Sequence, residues 1–228
     1  IHIHSGVMGI ILLLAVFPFR FSILNSTVFT LHNSWNIIKP RNQALNLIVM
    51  FAVRKICTCG QSSKDSIPGI INLFIGNKTT AIVNGFDHFR IDNVKNHKTT
   101  VTHFNENSSI KILCVGALND TKNQSALLEA LKEMSMDAEV IFLGEGINKK
   151  NLIDSAKEID SCSNIVFKGR VSRNLTIEHM LEADVSISLS KGEGLPIAVL
   201  ESMYAGCFQI LSIIPPHKEI LPPSGRCI

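Results

Sequence analysis

Four apolar runs punctuate the second half of the chain: KILCVG at 111–116, VIFLGEG at 140–146, NIVFKG at 164–169 and ADVSISLS at 183–190. Stretches such as ALLEAL at 126–131 separate them, with apolar residues at helical spacing. Runs this apolar suit strands buried on both faces, and a strand–helix–strand rhythm closes most simply as parallel strands joined by crossover helices. The rhythm predicts an α/β chain built on a doubly wound sheet. Composition supports a sizeable core, with 46% hydrophobic and 18% charged residues, and it argues against disorder. No low-complexity tract and no internal repeat of solenoid length interrupts the pattern.

In the first half, VFTLH at 28–32 reads as a strand. The apolar run GVMGIILLLAVFPF at 6–19 has 14 residues. A membrane-spanning helix needs roughly 20, so a buried helix of the first domain is expected there. The six cysteines, at 57, 59, 114, 162, 207 and 227, form no Cys-x2-Cys pair. Scattered on apolar strands they read as small buried hydrophobes of a reducing compartment, which points to the cytoplasm. Charge divides unevenly. Residues 1–107 carry 10 Lys or Arg against 4 Asp or Glu, a net of +6, while 108–228 carry 12 against 15, a net of −3. A basic first half suits an anionic surface such as lipid headgroups, whereas nucleic acid is not expected because the basic residues are not interleaved with aromatics.

The segment KGEGLPIAVLESMYAG at 191–206 carries the most chemistry. The strand-like run before it and Pro196 after its loop predict a strand-to-helix turn, with the helix continuing to Ala205. Gly194 permits close approach of backbone to a ligand, and the first-turn N–H groups with the helix dipole favour a diphosphate. Glu201 falls about two turns into that helix, where a carboxylate can accept from the two hydroxyls of a ribose. Glu193, on the loop, is placed to reach a sugar ring. Read without further context, the same two glutamates also suit an ordinary solvated helix face.

The segment resembles the Glu-x7-Glu motif of glycosyltransferase family 4, retaining enzymes of the two-domain GT-B architecture. Lys111–Leu131 looks like the first strand, loop and helix of that family's donor domain, Val140–Ala156 looks like the next unit, and 164–196 follows in the family's order. The first half is similar more loosely, through VFTLHNS at 28–34, a helix over 44–54 and TTAIVNGFDHFRID at 79–92, which resembles the family's interdomain segment. The resemblance implies two Rossmann-like parallel-sheet domains, both incomplete here: 1–95 as the later part of the acceptor-side domain, 96–108 as a linker and 109–228 as a truncated donor domain. The family's usual size, against 228 residues, leads us to expect an internal fragment.

Site residues follow from the same resemblance. Glu193, Lys122 and His32 are the expected catalytic residues, and Gly116, Arg170, Val171, Gly194, Leu195 and Glu201 the expected donor-binding residues. The family pattern has an Arg directly after the glycine at 116 and a Lys five positions further on. Lys122 matches the Lys, but Ala117 stands at the Arg position, so Arg170, Arg173 or Lys191 is expected to supply the missing positive charge. No metal and no other cofactor is expected, since no Asp-x-Asp motif occurs and Lys122 with a helix N-terminus would neutralise the diphosphate.

The implied function is transfer of a sugar from UDP-sugar or GDP-sugar to a saccharide or lipid-linked acceptor, in cell-surface polysaccharide synthesis, at the cytoplasmic side of a membrane. Two rivals remain open at this point: a nucleotide-sugar 2-epimerase, and a non-catalytic donor-binding homologue motivated by Ala117. Other readings fail on spacing. Gly144–Gly146 lacks the third glycine of a dinucleotide fingerprint, GALNDTKNQ lacks the ending of a P-loop, and no Gly-x-Ser-x-Gly elbow occurs.

Overall fold

Every strand pairing among the described residues is parallel. The computed structural model describes residues 1–16, 21–97, 109–134, 137–159 and 164–221. The expected linker at 96–108 lies almost wholly outside them. The chain divides into two units: Ile1–Asn84 with Gly192–Leu195, and Gly85–Lys191 with Pro196–Ile228.

In the first unit β1 (His2–Ile3), β2 (Val28–Leu31), β3 (Lys55–Thr58) and β4 (Thr79–Ala81) form one sheet in sequential order. Helices α1 (Gly6–Val16), α2 (Pro40–Ala52), α3 (Gln61–Asp65) and α4 (Gly69–Ile75) connect them. Phe29, Leu31, Trp35, Val49, Met50, Ile56 and Ile75 make the core between sheet and helices. The run at 6–19 is helical over Gly6–Val16, with 17–19 outside the described residues, but the helix is not buried as expected. Gly6, Gly9 and Val16 face inward, while Val7, Met8, Ile11 and Leu14 are exposed. The reason lies in α2: a Cβ at Gly9 would strike the Val49 side chain, so the glycine side lets the helices pack closely and the bulky side is turned out.

The second unit opens with α5 (His88–His97) and then alternates β5 (Ile110–Val115), α6 (Gln124–Glu133), β6 (Ala138–Leu143), α7 (Lys149–Lys157), β7 (Asn164–Gly169), α8 (Arg173–Glu182), β8 (Val185–Ser188), α9 (Ile197–Ala205), β9 (Phe208–Leu211) and α10 (Pro215–Ile220). Its strand order is β7-β6-β5-β8-β9. The two-residue period of a strand divides the apolar runs between both faces. Ile112, Cys114, Val140 and Phe142 meet Leu127, Leu128, Leu131 and Leu152 on one side. Leu113, Ile141 and Leu143 meet Met180 on the other. Helix α5 is held to this unit by Ile91, packed with Ile177 and Leu181, and by Asp92, which accepts from the Tyr204 hydroxyl at 3.1 Å.

Candidate functional site

Chain order runs outward from β5 through β6 and β7, then returns to β8 on the other flank. The carboxyl ends of β5 and β8 therefore flank the topological switch point, where open α/β sheets leave a crevice for ligands. Gly116 ends β5 with φ +152°, a conformation L side chains rarely adopt. The Lys122 side chain runs past it, so that a Cβ at 116 would lie 3.4 Å from Lys122 Cε. The Lys122 backbone is fixed by Asn119, whose side-chain oxygen accepts from its N–H at 3.0 Å. Its charge also reaches the sheet end, pulling the Cys114 thiol down, although burial dominates and pushes that thiol up to about 12. The β5 and β8 loops are tied together: Lys191 N–H donates to Thr121 O at 2.8 Å and Asn123 Nδ2 to Leu189 O at 3.2 Å. Asn123 takes the left-handed conformation, φ 54°, to do so, one that Asn tolerates better than most residues.

Glu201 sits in the second turn of α9 and is 1% exposed. Its Oε1 is paired with Arg173 Nη2, whereas Oε2 is buried without a hydrogen-bond partner among the described residues. Arg173 opens α8, whose start is set by Ser172 as N-cap, its hydroxyl accepting from Leu175 N–H at 3.2 Å. Of the expected donor residues after β7, Val171 packs into the apolar cluster around Met180, and Arg170 is exposed.

Within the first unit, His32 directly follows β2. Its Nε2 lies 2.9 Å from His4 Nδ1, and the His2 and His4 rings stand 4.1 Å apart. Desolvation, then the neighbouring His4 and His2, holds the His32 pKa below its ordinary value of 6.5. A cavity of about 160 Å³ beside it is lined by His4, Ser5, Thr30, His32, Asn33 and Asn46, among others. The segment Gly192–Leu195 packs here. Glu193 O accepts from Ser34 Oγ at 2.5 Å and from Ser34 N at 3.3 Å, and Ser63 Oγ donates to Gly194 O at 3.3 Å. A Cβ at Gly194 would strike His32 O, so this position also needs a glycine to let the loop pass the backbone just after β2. The structure thus places Glu193, Gly194 and Leu195 in one unit with His32, Gly194 lying against it, and Gly116, Lys122 and Glu201 in the other. Among the described residues no group of three or more His, Cys, Asp or Glu is arranged to hold a metal ion.

Sequence reasoning missed Ser34 and Ser63, which hold the 193–194 backbone across more than a hundred residues, and it named Arg173 only as a spare cation. A serine before a helical run signals an N-cap, so the position of Arg173 was readable, but its partner was not.

Residues 95–224, more than half of the chain, match the family described as glycosyl transferases group 1. The chain belongs to that family. The capsular polysaccharide biosynthesis glycosyltransferase CapH of Staphylococcus aureus is 29% identical over 191 residues, covering 81% of this chain and 50% of CapH. An N-acetylgalactosamine-N,N'-diacetylbacillosaminyl-diphospho-undecaprenol 4-alpha-N-acetylgalactosaminyltransferase of Campylobacter jejuni is 28% identical over 96 residues, 42% of this chain and 26% of that enzyme. The chain therefore spans half or less of the length of these curated relatives. Among solved structures, Anabaena HepE in complex with UDP-glucose superposes with a TM-score of 0.78 at 16% identity, over 100% of this chain and 64% of HepE. That likeness bears out the fold: two parallel-sheet α/β domains of the GT-B kind.

Proposed function

We propose that this group 1 chain is the working part of a retaining glycosyltransferase of family 4, moving a sugar from UDP-sugar or GDP-sugar to a saccharide or lipid-linked acceptor in cell-surface polysaccharide synthesis. One observation carries the reading: at the switch point between β5 and β8, the Gly116 turn lies against Lys122 and the loop after β8 is tied to it through Lys191 and Leu189, with the buried carboxylate of Glu201 in the helix that follows. CapH supports the pathway and the Campylobacter enzyme the lipid-linked class of acceptor, each by its name.

In this mechanism the bond between the anomeric carbon and the diphosphate oxygen breaks while the acceptor oxygen bonds to the same face of that carbon. The acceptor's hydroxyl proton passes to the departing phosphate, so configuration is retained and no side-chain base is required. Lys122 and the first-turn N–H groups of α9 stabilise the charge that grows on the diphosphate. Gly116, Arg170 and Val171 border the nucleotide, and Glu201 accepts from its ribose. Glu193, Gly194 and Leu195 address the sugar, and His32, neutral at pH 7, orients the incoming hydroxyl. No divalent cation takes part, so a chelator would leave transfer intact. The protein would work in the cytoplasm, at the inner face of a membrane.

Calorimetric titration of the full-length parent with UDP, GDP and ADP tests the reading. One diphosphate should bind, and Glu201→Ala should weaken it by about tenfold or more, as for loss of hydrogen bonds to a charged group. Absence of binding by all three would refute it. Ala117, in place of a second phosphate-binding cation, favours one alternative, a homologue that binds donor and transfers nothing. Labelled donor with and without acceptor separates these outcomes, since a 2-epimerase would turn over without acceptor and a scaffold would not turn over at all.

A further inference from the structure

We infer that Arg173 is a positioning residue for nucleotide recognition: it holds Glu201 by Oε1 so that Oε2 is kept for the vicinal diol of a ribose. This rests on the reading of Glu201 given above and adds a residue to it.

Three observations converge. Glu201 is 1% exposed and its Oε1 is engaged by the Arg173 guanidinium. Its Oε2 is buried with no hydrogen-bond partner among the described residues. Arg173 is held at the first position of α8 by the Ser172 cap and keeps a side chain that is 47% exposed. A carboxylate offers about four lone-pair positions, and a buried oxygen without a partner is rare in a finished protein unless a ligand supplies one. An unpaired carboxylate in this place would be free to rotate about its last torsion or to turn toward solvent. The guanidinium prevents both, because a charge-assisted bond from a capped helix fixes one oxygen and, through the planar group, the direction of the other.

The obvious competitor is that Arg173 meets the diphosphate itself, standing in for the cation missing at Ala117. The two accounts differ in what Arg173→Ala removes. If Arg173 acts through Glu201, the loss falls on the diol; if it acts on phosphate, the loss is indifferent to the sugar hydroxyls.

The experiment is a calorimetric comparison, on the full-length parent, of UDP or GDP, whichever binds, with its 2′,3′-dideoxy analogue. Wild type should prefer the diol by about tenfold or more. Arg173→Ala should collapse that preference to near unity with little change for the dideoxy ligand, and Arg173→Lys should restore part of it. In a Glu201→Ala background, Arg173→Ala should have no further effect. Circular dichroism of each variant shows whether the fold is kept, and Arg173→Lys keeps the test decisive if the alanine variant unfolds. Equal weakening of both ligands, an undiminished preference in Arg173→Ala, or an unchanged effect of Arg173 without Glu201 overturns the inference alone. A wild type that binds the diphosphate without preferring the diol overturns the reading of Glu201 as well.

Discussion

A carboxylate at 1% exposure on a nine-residue helix needs a counter-charge, and Glu201 has found one 28 residues back in the sequence. Removing Arg173 would leave that buried carboxylate without its counter-charge, which is why binding by the Arg173 variants is read beside a check of their fold. His32 presents the opposite case. Desolvation first, and the like charges of His4 and His2 next, disfavour its protonated form. Its folded pKa is below 6.5, so the folded state binds fewer protons than the unfolded one below that pH. The stability it contributes is therefore complete above pH 6.5 and is lost as pH falls through 6.5 toward the folded value. An NMR titration of the imidazole should give a pKa under 6.5. His4→Ala should raise it only in part, because desolvation persists; a His32 pKa at or above 6.5 in the native protein would contradict the cluster geometry.

At the level of elements, caps and glycines decide where the functional side chains stand. Gly206 closes α9 at φ +101°, with Cys207 N–H donating to Ser202 O at 3.0 Å, and this ends the helix just past Glu201 and Tyr204. A Cβ there would meet nothing within 4 Å, so the cost of Gly206→Ala is purely conformational, about 1–2 kcal/mol in denaturant unfolding. Gly69→Ala at the start of α4 provides the control. It also has open space but no positive φ, and it should be neutral or stabilising by up to about 1 kcal/mol. Equal effects at the two positions would mean that the left-handed cap is not what sets the end of α9.

For the molecule as a whole, charge is the property that reaches furthest. Residues 1–84 hold seven Lys or Arg and a single Asp, and α4 turns Ile70, Leu73 and Phe74 to solvent beside Phe51. No helix among the described residues is long and apolar enough to cross a membrane. We expect the full-length parent to sediment with vesicles containing anionic lipid and not with neutral ones. Each basic residue at the surface adds about 1 kcal/mol at low salt, and the effect fades as ionic strength rises. Binding to neutral vesicles alone, or no salt dependence, would sink the electrostatic account.

Sequence by itself determined the α/β class and the order of the units, because parallel strands buried on both faces leave apolar runs that nothing else in a chain this size explains. It also marked 191–206 as the candidate site, since a Gly-Leu-Pro turn between strand and helix with two carboxylates is a local pattern. The helix at Gly6–Val16 was legible but its buried side was not: apolar residues on every side give no face, and only the fit of Gly9 against Val49 chose one. The three-dimensional structure alone decided that Glu201 is buried against Arg173, that Ser34 and Ser63 hold the backbone of Glu193 and Gly194, and that Gly194 packs against the His32 carbonyl. Local rules act through neighbours three or four residues away, whereas these contacts join residues from 28 to 162 positions apart, and only the packing of whole elements brings them within a bond length of each other.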